Sequence, residues 1–117
     1  MRILFVCLGN ICRSPTAEGV LRNKLREAGL ADLVEVASAG TGDWHVGNPP
    51  DKRSQAAAKL RGYDLSNQRA QQVTRADFAT YDLILAMDKS NLRSLEALQP
   101  VKGKAELDLF LRRYQVE

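Results

Sequence analysis

Apolar residues run without a break from Ile3 to Cys7 after a Met-Arg start, and a continuous run of that length before a turn signal reads as a strand buried on both faces. Leu8-Gly9-Asn10 interrupts it. Ser14-Pro15 then offers a helix N-cap and an N1 proline. Ala17, Leu21, Leu25 and Ala28 follow along one helical face until Gly29 stops it. The period changes at Leu33 to Ala39, where alternation predicts a second strand. Gly40 to Pro50 is a long, turn-rich loop, and a loop of that length in a small domain often carries function.

Further on, Asp51 predicts the cap of a helix running through Ala56-Ala57-Ala58 to Arg61, with Gly62 ending it. Thr74-x-x-Asp77 has the spacing of a capping box. Tyr81 to Met87 predicts another buried strand. Asp88 caps a helix whose Leu92, Leu95 and Leu98 face inward before Pro100, and Ala105 to Leu111 predicts the last strand. Strands alternating with helices give an α/β fold with a doubly wound, four-stranded parallel sheet and helices on both faces. Neither a repeat nor a linker divides the chain, so one domain over residues 1–117 is expected.

Composition narrows the function. The 117 residues are 44% hydrophobic and 26% charged, with a formal net charge of +3, which is ordinary for a soluble domain and argues against disorder. The basic residues are scattered, with few aromatics to stack bases, which speaks against nucleic acid. The apolar opening is too short for a signal peptide or a membrane span, so a cytoplasmic protein is expected. Two cysteines, Cys7 and Cys12, are too few for a disulfide framework, and with His45 the one histidine a zinc site lacks ligands. Neither metal nor cofactor is expected, and the two thiols are expected to be free.

The stretch "CLGNICRSP", residues 7–15, lies where the first strand gives way to a helix. In a parallel α/β sheet ligands bind at the carboxyl ends of the strands. A loop closing on a helix N-terminus offers backbone N–H groups and a positive dipole end to a phosphate-like anion. Arg13 adds a planar fork for two oxygens of a tetrahedral anion, and Gly9 permits close approach or a positive φ. The same surroundings favour a thiolate at Cys7, placed to attack a bound phosphorus and form a phosphocysteine that water removes. Arg13 and the loop amides would stabilise the equatorial oxygens in both steps. Buried structural cysteines with a solvated arginine are the plainer alternative; the preceding strand, the Gly-Asn pair and the Ser-Pro helix start favour the anion site.

That loop resembles the signature of the low-molecular-weight protein tyrosine phosphatases, and the similarity continues through "SAGTGDWHVGNPPD", "AMDKSNL" and "LFLRRY". The resemblance implies hydrolysis of protein phosphotyrosine, with a phosphotyrosine-containing protein as partner. It makes Cys7 the nucleophile and Arg13 the phosphate clamp. Leu8, Gly9, Asn10, Ile11, Cys12 and Ser14 become the substrate-binding loop, Asn10 organising it and Ser14 stabilising the thiolate. It implies an aromatic wall at Trp44, although a tryptophan that only pins its loop would serve as well. Cys12 resembles the second loop cysteine that can trap an oxidised Cys7 as a disulfide, with a purely structural thiol as the alternative. Asp88 of "AMD" is a secondary candidate that helix capping also explains, and Asp43 beside Trp44 is another.

Two departures from the family pattern change the expectation. Leu65-Ser-Asn-Gln68-Arg-Ala-Gln71 replaces a histidine and an arginine that many relatives carry, which alters support of the loop. The family's general-acid aspartate, in an Asp-Pro-Tyr type motif, and its final helix follow a segment like "LFLRRY", and neither occurs before Glu117. Impaired turnover of poor leaving groups is therefore expected. An uncovered sheet surface is expected too, inviting a homo-oligomer or swapped dimer. A phosphate or phosphoprotein-binding module without catalysis is the alternative function. Arsenate reduction ranks lower because its relay cysteines are missing. Phosphoarginine hydrolysis ranks lower because enzymes of that kind typically carry threonine where Ile11 stands.

Overall fold

The computed structural model describes residues 1–110. Within them the elements run β1 (Arg2–Cys7), α1 (Arg13–Glu27), β2 (Glu35–Gly40), α2 (Lys52–Leu60), α3 (Asp77–Thr80), β3 (Leu83–Ala86), α4 (Lys89–Leu98) and β4 (Glu106–Leu109). The strands form one parallel sheet in the order β2-β1-β3-β4, with Cys7 opposite Gly40 and Val6 opposite Ala86. The chain winds from β1 to one side and then to the other, which opens a crevice at the carboxyl end of β1.

β1 and β3 read as unbroken apolar runs because both of their faces are covered. Ile3, Phe5, Leu83 and Leu85 pack with Leu25 of α1 on one face. Leu4, Val6, Ile84 and Ala86 pack with Phe78 of α3 and Leu95 of α4 on the other. Asp51 and Asp88 form the expected caps, Asp51 accepting from the N–H groups of Arg53 and Ser54 and Asp88 from that of Asn91. The Thr74–Asp77 box forms by half: Asp77 accepts the Thr74 N–H, but its own N–H goes to the Thr74 carbonyl, and α3 has Ala76 as N-cap.

Several boundaries differ from the periodicity. The second strand starts at Glu35, because Leu33 is spent on a turn, its N–H donating to Leu30, and its side chain is exposed. Ala28 is the exposed C-cap of α1 rather than part of its buried face, and Gly29 takes up the left-handed φ of 73° that ends the helix. The third strand shortens to Leu83–Ala86 and the fourth to Glu106–Leu109, with Leu111 outside the described residues. Ser14 is not the N-cap. The helix starts at Arg13, and Pro15 falls in the first turn, where an N–H has no intrahelical acceptor to lose.

The segment resembling "LFLRRY" lies outside the described residues from Leu111 on, as does the expected absence of a final helix. Within the described residues an apolar groove runs beside α1, lined by Phe5, Ala17, Val20, Leu21, Lys24 and Phe110, with the two phenyl rings edge to face at 5.7 Å. No helix among the described residues is long and apolar enough to cross a membrane.

Candidate active site

Cys7 ends β1, and the chain then curls through Leu8 to Cys12 before α1 begins. The curl needs one left-handed residue. That residue is Asn10, with φ of 57°, and not Gly9; asparagine tolerates this region better than most side chains. Gly9 instead provides close approach, since a methyl group there would sit 3.0 Å from Cδ2 of His45. Gly40 does the same from β2, where a methyl would stand 2.8 Å from the Leu8 carbonyl oxygen. The Asn10 N–H turns back to Cys7 Sγ at 3.2 Å. Among the described residues, the backbone N–H groups of Gly9, Ile11, Cys12 and Arg13 have no protein acceptor. Free donors on a loop that runs from a cysteine into a helix N-terminus are suited to an anion.

Beneath it lies a buried polar chain. The Asn10 side-chain amide donates to Ser14 Oγ and to Ser38 Oγ, both at 2.9 Å, and its Oδ1 accepts the Gln71 N–H at 2.9 Å. Ser38 passes its own proton to Glu18 Oε1 at 2.6 Å, and Glu18 is held by Arg22 at 2.6 Å. Both amide hydrogens of Asn10 are thus committed, and Ser14 Oγ, which accepts one of them, lies 2.8 Å from Cys7 Sγ, where its O–H can donate once the sulfur is a thiolate. The sulfur also accepts the Asn10 N–H. Burial of Cys7, Asn10, Ser14, Ser38 and Glu18 makes every one of these bonds costly to lose.

Arg13 is exposed at the loop's edge and forms an ion pair with Asp88 at 2.8 Å. The Asn91 N–H is the main cause that holds the Asp88 carboxyl below the ordinary aspartate range; burial opposes it, and the hydrogen bond and charge of Arg13 add to the lowering. Asp88 is therefore both a helix cap and the anchor of Arg13. The 41–51 loop brackets the curl: Thr41 donates to the Cys7 carbonyl, Gly42 to that of Leu8, and Asp51 to that of Ile11, at 2.9, 2.9 and 2.7 Å. Trp44 and Asp43 are exposed in this loop, and Leu8 is exposed across from it. Ile11 is half-buried, while Cys12 is exposed and, like the buried Cys7, a free thiol.

The structure therefore gathers Cys7, Gly9, Asn10, Ile11, Cys12, Arg13, Ser14 and Asp88 at one end of the sheet and brings the Trp44 loop against them. Sequence reasoning missed Glu18, Ser38, Arg22 and Gly40. A signal existed in Glu18, a carboxylate on the inner side of an amphipathic helix, which needs partners once buried. The segment that departs from the family pattern supports the loop by other bonds: Gln71 Nε2 donates to the Ser38 carbonyl and Gln68 Nε2 to that of Pro15, both at 2.9 Å. Among the described residues no group of three His, Cys, Asp or Glu is gathered to hold a metal ion.

Residues 2–115 match the model of a family described as low molecular weight phosphotyrosine protein phosphatase. A curated relative of that name from Schizosaccharomyces pombe is 46% identical over 111 residues, which cover 94% of this chain and 70% of the relative. Among solved structures, YfkJ from Bacillus subtilis aligns with a TM-score of 0.93 at 37% identity, covering 100% of this chain and 74% of that one. A structure titled drosophila arginine phosphatase aligns with a TM-score of 0.86 at 38% identity, covering 93% and 70%.

Proposed function

The chain belongs to the low molecular weight phosphotyrosine protein phosphatase family, and from that premise we propose that it hydrolyses protein phosphotyrosine through a phosphocysteine on Cys7. The carrying observation is the set of unpaired N–H groups at Gly9, Ile11, Cys12 and Arg13 on the loop that follows Cys7, whose sulfur accepts the Asn10 N–H and lies 2.8 Å from Ser14 Oγ. A phosphoryl group seated there has its equatorial oxygens among the amides and the Arg13 guanidinium, in line with the sulfur. The sulfur forms the S–P bond as the P–O bond to tyrosine breaks, and the tyrosine oxygen leaves as a phenolate that takes its proton from water. Water then adds to phosphorus and releases inorganic phosphate and the thiolate. Ser14 O–H and Asn10 N–H steady the negative sulfur at the start and at the end.

Asp88 does not serve as the proton donor in this reading. Its lowered pKa leaves it ionised near neutrality, and its oxygens are taken by Arg13 and Asn91. With Asp88 withheld from proton transfer, cleavage is proposed to depend on the leaving group. Ile11, apolar and half-buried in the cradle wall, favours a flat aryl group over the guanidino group of phosphoarginine. Cys12 is the proposed guard, able to condense with a Cys7 sulfenic acid to a disulfide with loss of water.

The test compares tyrosine-phosphorylated and arginine-phosphorylated peptides, with wild type and Cys7→Ser. Turnover of the tyrosine peptide by the wild type, and none by the variant despite retained phosphate binding, is expected. Preference for phosphoarginine, or turnover surviving Cys7→Ser, contradicts the reading.

A further inference from the structure

Trp44 lies across Gly42. A methyl group on Gly42 would stand 1.4 Å from Cζ3 of the indole, 2.1 Å from Cε3 and 2.5 Å from Cη2, so the six-membered ring fills the space that any side chain at 42 would need. Adjustment by a few tenths of an ångström cannot relieve overlaps of that size. The ring itself has to leave, and with 67% of Trp44 exposed it has solvent to leave into. The φ of Gly42 is not among the positive values of this fold, so the backbone alone does not call for glycine there. What the missing Cβ provides is a flat seat.

That seat is fixed to the loop that holds the nucleophile. Gly42 N–H donates to the Leu8 carbonyl and Thr41 N–H to the Cys7 carbonyl, both at 2.9 Å. The indole is thereby held in register with the anion site through one glycine and two hydrogen bonds. We propose that Gly42 is a positioning residue for substrate specificity: by seating the Trp44 indole it fixes an aromatic wall beside the phosphate cradle, and any side chain at 42 releases that wall. The inference deepens the phosphotyrosine reading and rests on it. It also predicts which property changes. A released ring weakens contact with the aryl part of a substrate, while the cradle for the phosphoryl group keeps its geometry.

Trp44 is the one tryptophan in the chain, so intrinsic fluorescence reports the seat directly. The experiment compares wild type and Gly42→Ala by the fluorescence anisotropy of Trp44, and these two with Trp44→Ala and the double variant by KM for a phosphotyrosine peptide and by inhibition with inorganic phosphate. Gly42→Ala is expected to lower the anisotropy of Trp44 and to raise KM about three- to tenfold, the scale of one lost aromatic contact. The phosphate inhibition constant should stay within about twofold of wild type, because the donors around the cradle are untouched. In the Trp44→Ala background the second substitution should add nothing to KM. Unchanged anisotropy in Gly42→Ala, or effects on KM that add in the double variant, would overturn the inference. Failure of phosphate to inhibit the wild type would instead fall on the phosphate-site reading and leave the anisotropy result to judge the seat. Should Gly42→Ala not fold, the double variant, which has room for the methyl, folds on this account and fails to fold if the backbone is what requires glycine.

Discussion

Ser14 Oγ lies 2.8 Å from Cys7 Sγ, one turn of loop away, and is fixed there by the side-chain amide of Asn10 at 2.9 Å. A hydroxyl in that place gives a sulfur anion a donor that a helix cap would have turned towards backbone. Replacing Ser14 by alanine removes it and leaves the rest of the cradle standing. Since a hydrogen bond to a charged group is worth about 1.5–3 kcal/mol, the first chemical step should slow by about 10- to 100-fold. Stopped-flow release of an aryl alcohol from Ser14→Ala measures this, with the phosphate inhibition constant as the control that should hold. A rate equal to wild type would remove Ser14 from the mechanism.

Asn10 has a heavier structural role. It satisfies Ser14, Ser38 and the Gln71 N–H from a position that is 2% exposed and left-handed. Alanine there strands buried polar groups and adds strain at φ of 57°. Asn10→Ala should cost about 2–4 kcal/mol of folding stability as well as activity. Denaturant unfolding followed by circular dichroism gives the number. A loss under about 0.5 kcal/mol, the scale of an ordinary surface substitution, would show that the network relaxes freely.

These two residues mark how far the sequence could be read. The apolar runs of β1 and β3 and the alternation in β2 are set by burial on known faces, and capping by Asp51 and Asp88 follows from local chemistry, so the α/β fold was legible. The positions of Cys7 at a strand end and of Arg13 at a helix start were legible for the same reason. Local rules put Ser14 at the helix cap, whereas its hydroxyl lies against a tertiary partner, Cys7 Sγ, a place that only the family resemblance implied. Glu18 and Ser38 meet across 20 residues of chain, and no periodicity encodes which serine a buried carboxylate will reach. Glycine type left Gly9 either close approach or a positive φ; it serves the first, and the positive φ falls one residue later at Asn10.

Asp88 makes stability depend on acidity. Its pKa is lowered in the folded state by the Asn91 N–H and by Arg13. The stabilisation is therefore fully present above the unfolded aspartate value of about 3.9 and is lost as pH falls through the lower folded value. Asp88→Asn keeps a capping side chain but removes the charge. With the carboxylate side chain 39% exposed, screening limits the difference to about 1 kcal/mol or less. Wild type and Asp88→Asn should differ near neutrality and converge in acid unfolding as pH falls through the lowered folded value. A difference that grows on acidification has the wrong sign for this account.

Leaving-group dependence tests the proton inventory. With Asp88 ionised and bound to Arg13, the 117-residue polypeptide should cleave nitrophenyl phosphate at least about 100-fold faster than phenyl phosphate, the scale of general acid catalysis. A series of substituted phenyl phosphates measures the slope. Rates that do not vary with leaving-group pKa would reveal a proton donor within these residues.

The central claim is that Cys7 carries the phosphoryl group between the two half-reactions. The direct measurement is a rapid acid quench of the enzyme with a nitrophenyl phosphate, followed by mass spectrometry of the peptide that spans residues 7–14. A phosphate-mass adduct on Cys7, appearing with the burst of nitrophenol and absent from Cys7→Ser, is the predicted result. Full turnover by the wild type with no such adduct at any quench time would contradict it.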